Sequence, residues 1–373
     1  MKRLALLLLT SLLFCQPAWA ARAKVASMAR DPYVSALVLD ADSGKVLFAE
    51  QAETTVYPAS VLKLMNLLVI LKELEQGRIS LADMVQVTPE AAKTGGSQVY
   101  LDSKEQFPLE ELLYALTVQS ANDAAVALAT HIAGSKEGFV ALMNKQAAEL
   151  GMKSTRFHSV HGLPPGEGQK PDETTAADLA ILCRELAKRP DTFKYTGIKE
   201  RPFRDNTFIM RNHNHLIGEV DGVDGFKTGY YQAAGFSIAT TAKRGGVRII
   251  AIVMGSKDRK VRDAKARELL AKGFTMVPPK AVPPPAAAKA AAPGKGPAAQ
   301  VSGPAAPGKT VTAVAPAAGG AAKEEADEEA AAEAAADAAP ARDWAMFFWG
   351  LLLGMMAMAV PGYLLLRRRG RER

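Results

Sequence analysis

Ser60 and Lys63 are the first pair of residues in this 373-residue chain whose types and spacing could carry out chemistry. Residues at i and i+3 share one face of a helix, so the hydroxyl and the amine can meet. Burial lowers the pKa of a lysine side chain, which would make Lys63 a usable base near neutral pH. Ser60 would lie at the helix N-terminus, where negative charge is favoured. The pattern indicates a nucleophile and its base; the alternative is a capping serine beside a lysine that reaches the surface.

The helix that would position this pair is predicted from Val61 to about Gln76. Pro58 precedes it and Gly77 follows it, and both are typical boundary signals. Apolar residues occupy nearly every side between these limits, and such a helix is buried rather than half in water. The sequence therefore predicts a lysine held inside the protein, near the start of a core helix.

Ser120 and Asn122 form a second candidate site, at a predicted junction between a loop and a helix. Only Ala121 separates them, so both polar side chains can project from one tight turn. Taken alone, the same pattern is also typical of a helix N-cap.

A third candidate lies in the stretch 224–230, which contains Lys227, Thr228 and Gly229. A glycine on a strand lets a ligand approach the backbone, and Lys227 could hold a carboxylate as a point charge. A second Lys-Thr-Gly occurs at residues 93–95. It precedes Ser120 and follows a helical stretch with no predicted strand around it, so we interpret it as coincidental.

Both ends of the chain carry signals for export and anchoring. Residues 1–20 have a basic start, an apolar run and a small-x-small end, which predicts a secretory signal peptide. Residues 344–366 are uncharged and apolar, long enough to form a transmembrane helix. The basic tail, residues 367–373, is expected to remain in the cytoplasm. The sequence thus predicts an exported protein that is anchored in the cytoplasmic (inner) membrane by its C-terminal helix. Its main domain would lie in the periplasm or on the outer face.

Composition excludes several other arrangements. Residues 278–343 are rich in Ala and Pro and then acidic, so we expect a linker that is disordered or partly helical. The net charge of +7 comes mostly from the signal peptide and the tail, which gives no support for nucleic-acid binding. After signal cleavage only Cys183 remains, predicted to be a core thiol, so no disulfide framework is expected.

Residues 24–277 are the one segment able to build a sizeable core. Strand-rich stretches lie near its start and its end, with helical stretches between them. This order predicts an α/β fold in which an antiparallel sheet joins the two ends of the domain, flanked by helices on both faces with a helical insertion. The strands are predicted at 34–40, 45–49, 235–241 and 247–255, and the helices, besides the one after Ser60, at 109–116, 123–133, 137–150, 175–188 and 260–272.

The three motifs together are far more specific than any one of them. S-x-x-K, S-x-N and K-T-G in this order are typical of penicillin-binding proteins and β-lactamases. Over residues 30–275 the chain resembles the serine D-alanyl-D-alanine carboxypeptidases, the low-molecular-mass penicillin-binding proteins of peptidase family S11. The stretches 57–65, 120–129, 161–164 and 223–230 also look like that family. The resemblance implies the β-lactamase/penicillin-binding transpeptidase-like fold, with a helical subdomain beside the sheet.

The resemblance also implies a role for each residue of the first two motifs. Ser60 would attack the D-Ala-D-Ala bond and carry the acyl group, and Lys63 would take its proton. Ser120 would relay a proton to the leaving D-alanine, and Asn122 would hold the substrate backbone. No cofactor and no metal would take part.

In the third motif, the resemblance implies that Lys227 and Thr228 bind the terminal carboxylate of the substrate. Gly229 and Tyr230 would complete this substrate-binding strand, and the N–H groups of Ser60 and Tyr230 would form the oxyanion hole. The expected ligands are peptidoglycan stem peptides, with β-lactams as covalent inhibitors. Arg262, in the last helix, aligns with a family arginine near the site.

Two departures from the family pattern lie near these motifs. Ala121 replaces a glycine that is usual between Ser and Asn, which is a small change. Tyr231 replaces a small hydroxyl residue and could alter the edge of the pocket.

The alternatives differ in what they would need from the sequence. An efficient class A β-lactamase adds a glutamate some 35 residues after S-x-N, whereas residues 153–159 contain none, so slow deacylation from β-lactams is expected. A metal hydrolase is disfavoured because His158-x-x-His161 and His213-x-His215 lack a His-Glu-x-x-His pattern. A non-catalytic penicillin-sensing module would not need all three motifs. The sequence does not separate a carboxypeptidase from an endopeptidase that cuts cross-links.

Overall fold

The computed structural model describes residues 25–279, which form one α/β domain. Its strands are β1 (Ser35–Asp40), β2 (Val46–Glu50), β3 (Met84–Gln86), β4 (Gln106–Pro108), β5 (Glu200–Phe203), β6 (Phe208–Arg211), β7 (Val223–Gly229), β8 (Phe236–Arg244) and β9 (Val247–Ser256). Its helices are α1 (Lys63–Glu75), α2 (Pro89–Ala92), α3 (Leu109–Thr117), α4 (Asn122–Ala133), α5 (Lys136–Leu150), α6 (Ala176–Ala187), α7 (Pro190–Thr196) and α8 (Arg259–Met276).

The main sheet joins the two ends of the domain, as predicted. Its order is β2-β1-β9-β8-β7, and every neighbouring pair is antiparallel. Strand β1 therefore lies beside β9, although more than 200 residues separate them in the chain. Strand β7 is the last strand of the order, so one of its two edges has no strand neighbour within the sheet.

Helices cover both faces of this sheet, because alternate residues of its central strands belong to two different cores. Leu37, Ile250 and Ile252 face a large core that includes α1, α3, α4 and α6. Ala36, Val38 and Ile249 face a smaller core that includes Leu269 and Leu270 of α8. Alternation of side chains across the sheet is what allows one strand to serve both cores.

The last helix is longer than predicted, because Gly273 does not end it. Helix α8 continues through this residue to Met276. A Cβ atom added at Gly273 would lie 2.5 Å from Ile249 and 3.2 Å from Val38. Glycine at this position lets the helix approach the sheet closely. In the sequence pattern the same glycine is a stop signal.

Helix α1 is the buried axis of the helical part of the domain. Every residue from Lys63 to Leu71 is buried, as the apolar pattern predicted. The α-helix was expected to begin at Val61. It begins at Lys63, and a separate 3₁₀ turn, Ala59–Leu62, precedes it. Two small antiparallel sheets, β3–β4 and β5–β6, and helix α7 were not predicted, since their short segments give weak periodicity.

The predicted signal peptide, the transmembrane helix, the basic tail and almost all of the linker lie outside residues 25–279. Within that range, no helix is long and apolar enough to cross a membrane. Cys183 lies in the core, and burial raises the pKa of its thiol, which confirms the prediction of a core thiol.

Candidate active site

Ser60 and Lys63 meet at the junction between the 3₁₀ turn and α1. The Lys63 Nζ atom donates to Ser60 Oγ at 2.9 Å. A 3₁₀ turn places residues i and i+3 directly above one another, so the tighter turn aligns this pair well. Ala59, immediately before the serine, has a φ of +45°, which is unusual for a residue other than glycine. The backbone at the serine is thus held in a strained turn at the start of the core helix.

Lys63 is almost completely buried, and three acceptors surround its amine. Besides Ser60 Oγ, Nζ donates to Asn122 Oδ1 at 2.7 Å and to the carbonyl oxygen of His161 at 2.8 Å. A charged amine has three protons and uses one for each acceptor. A neutral amine has two protons and one lone pair. With its protons on Asn122 and His161, the lone pair faces Ser60 Oγ.

Ser120 and Asn122 flank a sharp turn that brings the second motif to the lysine. Ser120 has a φ of +61°, and helix α4 begins at Asn122 with Ala121 as its N-cap. The N-cap makes no side-chain hydrogen bond, so the capping interpretation of Ser120 is wrong. Asn122 accepts from Lys63 through Oδ1 and donates through Nδ2 to the carbonyl oxygen of Gly95 at 2.9 Å. Its amide orientation follows from these two contacts.

The third motif lies on β7, whose end contacts the nucleophile turn. A Cβ atom added at Gly229 would lie 2.9 Å from the amide nitrogen of Ser60 and 2.7 Å from the carbonyl oxygen of Pro58. Only glycine permits this approach, so the motif and the serine meet through the backbone. Lys227 and Thr228 are both buried here, 3% and 2% exposed, and Lys227 Nζ donates to the carbonyl oxygen of Thr228 at 3.1 Å. The structure therefore brings all three motifs together.

Tyr230 and Tyr231 leave the end of β7 in two different environments. Tyr230 stacks on Phe236 with ring centroids 4.0 Å apart, and the guanidinium of Arg262 lies 6.0 Å from the centroid of the Phe236 ring. Tyr231 stacks on Tyr57 at 6.1 Å in a small buried cluster that also contains Ala59. Tyr231 is thus buried behind the nucleophile turn, and burial raises the pKa of its hydroxyl.

A loop at residues 158–162 completes the site, and sequence reasoning missed its role. Asn66 lies one turn after Lys63 and donates to the carbonyl oxygen of Val160 at 2.7 Å, next to the His161 carbonyl that Lys63 holds. A Cβ atom added at Gly162 would lie 2.2 Å from the carbonyl oxygen of Ala59. Two donors on α1 therefore bind consecutive carbonyl groups of this loop.

Asp172 holds the same loop from the opposite side. Its carboxylate accepts from the amides of His158 and Ser159 and from the Ser159 hydroxyl at 2.6 Å. Ser159 Oγ in turn accepts from the amide of Gly162 at 2.9 Å. Burial raises the pKa of Asp172, while these hydrogen bonds lower it. No local pattern signals this carboxylate, because its partners lie 13 or 14 residues away.

His161 is held neutral at the back of the site. Its Nδ1 accepts from the amide of Leu163 at 3.1 Å. Burial, and then the positive charges of Lys63 and Lys136, lower the pKa of the imidazole to about 3. The histidine is therefore uncharged at neutral pH and adds no second cation beside Lys63.

The second Lys-Thr-Gly, which we interpreted as coincidental, borders the site. The Gly95 carbonyl oxygen accepts from Asn122 Nδ2, and the Ser97 carbonyl oxygen accepts from the Asn122 amide at 2.7 Å. Asp123, the next residue of α4, accepts from the amides of Val99 and Leu101. Segment 95–101 is thus attached to the two residues that open α4. Lys93 itself is exposed and takes no part in these contacts.

The arrangement of Ser60, Lys63 and Asn122 is suited to nucleophilic acyl transfer, since a buried amine is directed at a serine hydroxyl beside a glycine strand end. Among residues 25–279, no group of three or more His, Cys, Asp or Glu side chains is placed to hold a metal ion.

Comparison with known proteins places this chain in one family. Residues 23–258 match the family described as D-alanyl-D-alanine carboxypeptidase, peptidase family S11. The chain therefore belongs to the D-alanyl-D-alanine carboxypeptidase family. This confirms the resemblance read from the three motifs.

Individual relatives agree with this assignment. The D-alanyl-D-alanine carboxypeptidase DacF of Bacillus subtilis is 39% identical over 244 residues, which are 65% of this chain and 62% of that protein. The D-alanyl-D-alanine carboxypeptidase DacA of Escherichia coli is 34% identical over 285 residues, 74% of this chain and 70% of that protein. The chain thus spans between 62% and 70% of these relatives' own length.

Solved structures confirm the fold. Penicillin-binding protein 6B from Escherichia coli is 32% identical with a TM-score of 0.61, covering 69% of this chain and 80% of that chain. Penicillin-binding protein D2 from Listeria monocytogenes, in its ampicillin-bound form, is 28% identical with a TM-score of 0.59, covering 65% and 97%. The expected penicillin-binding transpeptidase-like fold is therefore correct.

Proposed function

We propose that this protein is a serine D-Ala-D-Ala carboxypeptidase that removes the terminal D-alanine from peptidoglycan pentapeptide stems. The observation that carries the proposal is the buried amine of Lys63, 2.9 Å from Ser60 Oγ and held by Asn122 and His161. Family membership supports the same activity, because the relatives are named D-alanyl-D-alanine carboxypeptidases.

The acylation step follows from the positions of Ser60 and Lys63. Ser60 Oγ attacks the carbonyl carbon of the penultimate D-alanine, and its proton passes to the lone pair of Lys63. The new C–O bond forms as the carbonyl π bond moves to oxygen. The amides of Ser60 and Tyr230 stabilise that oxyanion, a contribution worth about 3–4 kcal/mol for one such donor. Collapse breaks the C–N bond, and the leaving amine takes the proton from the Lys63 ammonium by way of Ser120.

Deacylation uses the same groups in the reverse sense. Water adds to the acyl-enzyme carbonyl, and Lys63 again accepts the proton. Collapse breaks the bond to Ser60 Oγ, which regains its proton from Lys63, and releases the shortened stem peptide. The His161 and Asn122 acceptors support this step because they leave the lone pair of a neutral Lys63 directed towards the serine.

Substrate recognition is assigned to β7. Lys227 and Thr228 would bind the terminal carboxylate, and the lysine supplies the opposite charge in a buried position. Gly229 would let the substrate backbone pass close to Ser60, and Asn122 would hold it from the other wall. A β-lactam would enter the same position and acylate Ser60, in keeping with the ampicillin-bound relative.

The cellular setting is part of the proposal. We infer that the signal peptide at 1–20 directs export, and that the segment 344–366 anchors the enzyme in the cytoplasmic membrane. The domain would then act on the outer side of that membrane, at the end of the linker. A family that is named for D-alanyl-D-alanine cleavage acts on the cell wall, which supports this location.

The decisive test uses Ser60→Ala in the full-length protein, with the exposed Ser80→Ala as its control. Both are incubated with a pentapeptide stem and with cross-linked dimer fragments, and the products are identified by mass. We expect wild type and Ser80→Ala to release D-alanine from the pentapeptide and to become labelled by a fluorescent penicillin, while Ser60→Ala does neither. Cleavage of the dimer in preference to the pentapeptide would show an endopeptidase instead.

A further inference from the structure

Tyr100 is an exposed aromatic residue on the segment that contacts Asn122 and Asp123. It is 68% exposed, whereas Val99 and Leu101 on either side are buried. Its φ of +57° lies in the left-handed region, which is unfavourable for a bulky residue. Glycine or asparagine adopts this conformation at a lower cost. The backbone is therefore held in an unfavourable conformation that directs this ring into solvent.

Several contacts hold Tyr100 in that position. The Asp123 carboxylate accepts from the amides of both neighbouring residues. Arg204, at the tip of the β5–β6 hairpin, donates to the carbonyl oxygens of Val99 and Tyr100 at 2.6 Å and 2.7 Å. The same guanidinium binds Glu105 through two bonds and lowers the pKa of that carboxyl. The Tyr100 ring rests edge-on against Phe208, with centroids 6.0 Å apart.

The position of this ring relative to the site follows from the same segment. The carbonyl groups of Gly95 and Ser97 bind Asn122, so residues 95–101 lie on the Asn122 side of the site. Left-handed residues other than glycine also occur at Ala59 and Ser120, one before the nucleophile and one in the second motif. Among residues 25–279, the remaining non-glycine residues with positive φ, Gln51 and residues 204–206, lie on turns after β2 and between β5 and β6. Tyr100 is the exposed aromatic residue of this segment.

We propose that Tyr100 is a substrate contact at the rim of the cleft, which binds the sugar-bearing end of the peptidoglycan stem. The inference rests on the proposed function. Because β7 would bind the terminal carboxylate, a part of the substrate that reaches residues 95–101 would be remote from D-Ala-D-Ala. A tyrosine ring offers an apolar face and a polar tip. A pyranose ring has the same character, with C–H faces and hydroxyl edges, and can stack on the face of the tyrosine.

The test compares the kcat/KM of full-length Tyr100→Ala with wild type on three substrates. These are an acylated tripeptide ending in D-Ala-D-Ala, a free pentapeptide, and a disaccharide-pentapeptide. We expect the variant to lose about 5- to 10-fold on the disaccharide-pentapeptide, as for the loss of one aromatic contact, and to be unchanged on the other two. Tyr100→Trp, which keeps a ring, should restore the sugar-dependent rate.

A second variant separates the contact from a structural role. Tyr100→Gly removes the ring and relieves the left-handed backbone, so we expect it to keep or raise the melting temperature and still lose the sugar-dependent rate. Gln51→Gly is the control: Gln51 has a φ of +47° on an exposed turn after β2, and its substitution should leave substrate preference unchanged.

Three outcomes would overturn the inference. Equal losses on all three substrates would assign Tyr100 a structural role. A loss on the free pentapeptide as large as that on the disaccharide form would place the ring against the peptide. Unchanged rates on every substrate would exclude a contact. If wild type cleaves none of the three substrates, the proposed function itself fails, which is a separate result.

Discussion

The chain contains the tripeptide Lys-Thr-Gly twice, and the two copies differ in almost every structural respect. At residues 227–229 it lies on β7 with its lysine and threonine buried and its glycine against the amide of Ser60. At residues 93–95 it follows the short helix α2, its lysine is exposed, and the threonine hydroxyl donates back to the carbonyl oxygen of Glu90. Gly95 has open space around its Cα atom.

The difference shows that the tripeptide has no fixed chemistry of its own. On a strand, the lysine and threonine are held beside the nucleophile turn, and the glycine allows contact between two backbones. In the loop, the same residues end a helix and offer only the Gly95 carbonyl to Asn122. Both copies contribute to one site, but only the copy on β7 supplies side chains suited to a substrate carboxylate.

The largest expected effect separates the two glycines. In Gly229→Ala the new Cβ would meet backbone atoms of Pro58, Ser60 and Val61 within 2.9 Å, so the nucleophile turn must shift. We expect the acylation rate by a labelled penicillin to fall about 100-fold or more, and the free energy of unfolding to fall by about 1–3 kcal/mol. Gly95→Ala has no atom within 4 Å of its new Cβ and should behave as wild type in both measurements. Equal behaviour of the two variants would contradict the comparison.

The next effect separates the two lysines. Lys227→Ala removes the cation proposed to bind the substrate carboxylate, so kcat/KM for a D-Ala-D-Ala peptide should fall about 10- to 100-fold, as for a charged hydrogen bond. Lys93→Ala should stay within about twofold of wild type, because its side chain is exposed and solvated. Melting temperatures of both variants control for folding. A larger loss in Lys93→Ala would transfer carboxylate binding to the other wall.

The smallest expected effect concerns the loop around His161, which contacts both the nucleophile turn and the segment after the second Lys-Thr-Gly. Gly162 contacts the carbonyl group of Ala59, while Leu163 contacts Gly96 beside the second tripeptide. Between pH 7 and pH 5 the unfolded state protonates His161 but the folded state does not, because the pKa in the fold is about 3. Stability from this histidine is thus complete above its ordinary pKa and falls as the pH drops.

Urea unfolding at pH 7 and at pH 5 measures this contribution of His161 to the free energy of unfolding. We expect His161→Gln to lose about 1 kcal/mol less stability over that interval than wild type, after allowance for partial solvent access. An unchanged pH dependence in His161→Gln would show that the imidazole is not desolvated by the loop.

Much of the fold could be predicted because its signals are local. Apolar periodicity predicted α1, α3, α4, α5 and α6 to within a few residues, and β-rich stretches at both ends predicted the antiparallel sheet. The motif residues Ser60, Ser120 and Lys227 were singled out from their spacing and order, together with the resemblance to the family. Gly273 was a wrong stop signal, since its small size serves contact with Ile249 rather than helix termination.

The surroundings of Lys63 could not be predicted in the same way. The His161 carbonyl that holds its amine is 98 residues away in the chain, and the Asn122 amide is 59 residues away. Asp123 and Asp172 position whole loops by accepting backbone amides, and any loop can offer such amides. A backbone carbonyl or amide carries no residue-specific signal, so its role is invisible until the chain is folded.

The sequence by itself determined which side chains are available for acyl transfer and in what order they occur, because residue type and local spacing are properties of the chain. It also determined that the lysine beside the serine is buried, because the helix that carries it is apolar all round. Only the tertiary structure decided which of two identical tripeptides reaches the serine, and which carbonyl groups surround the lysine. Those contacts depend on how distant backbones approach one another, and a linear pattern does not record that distance.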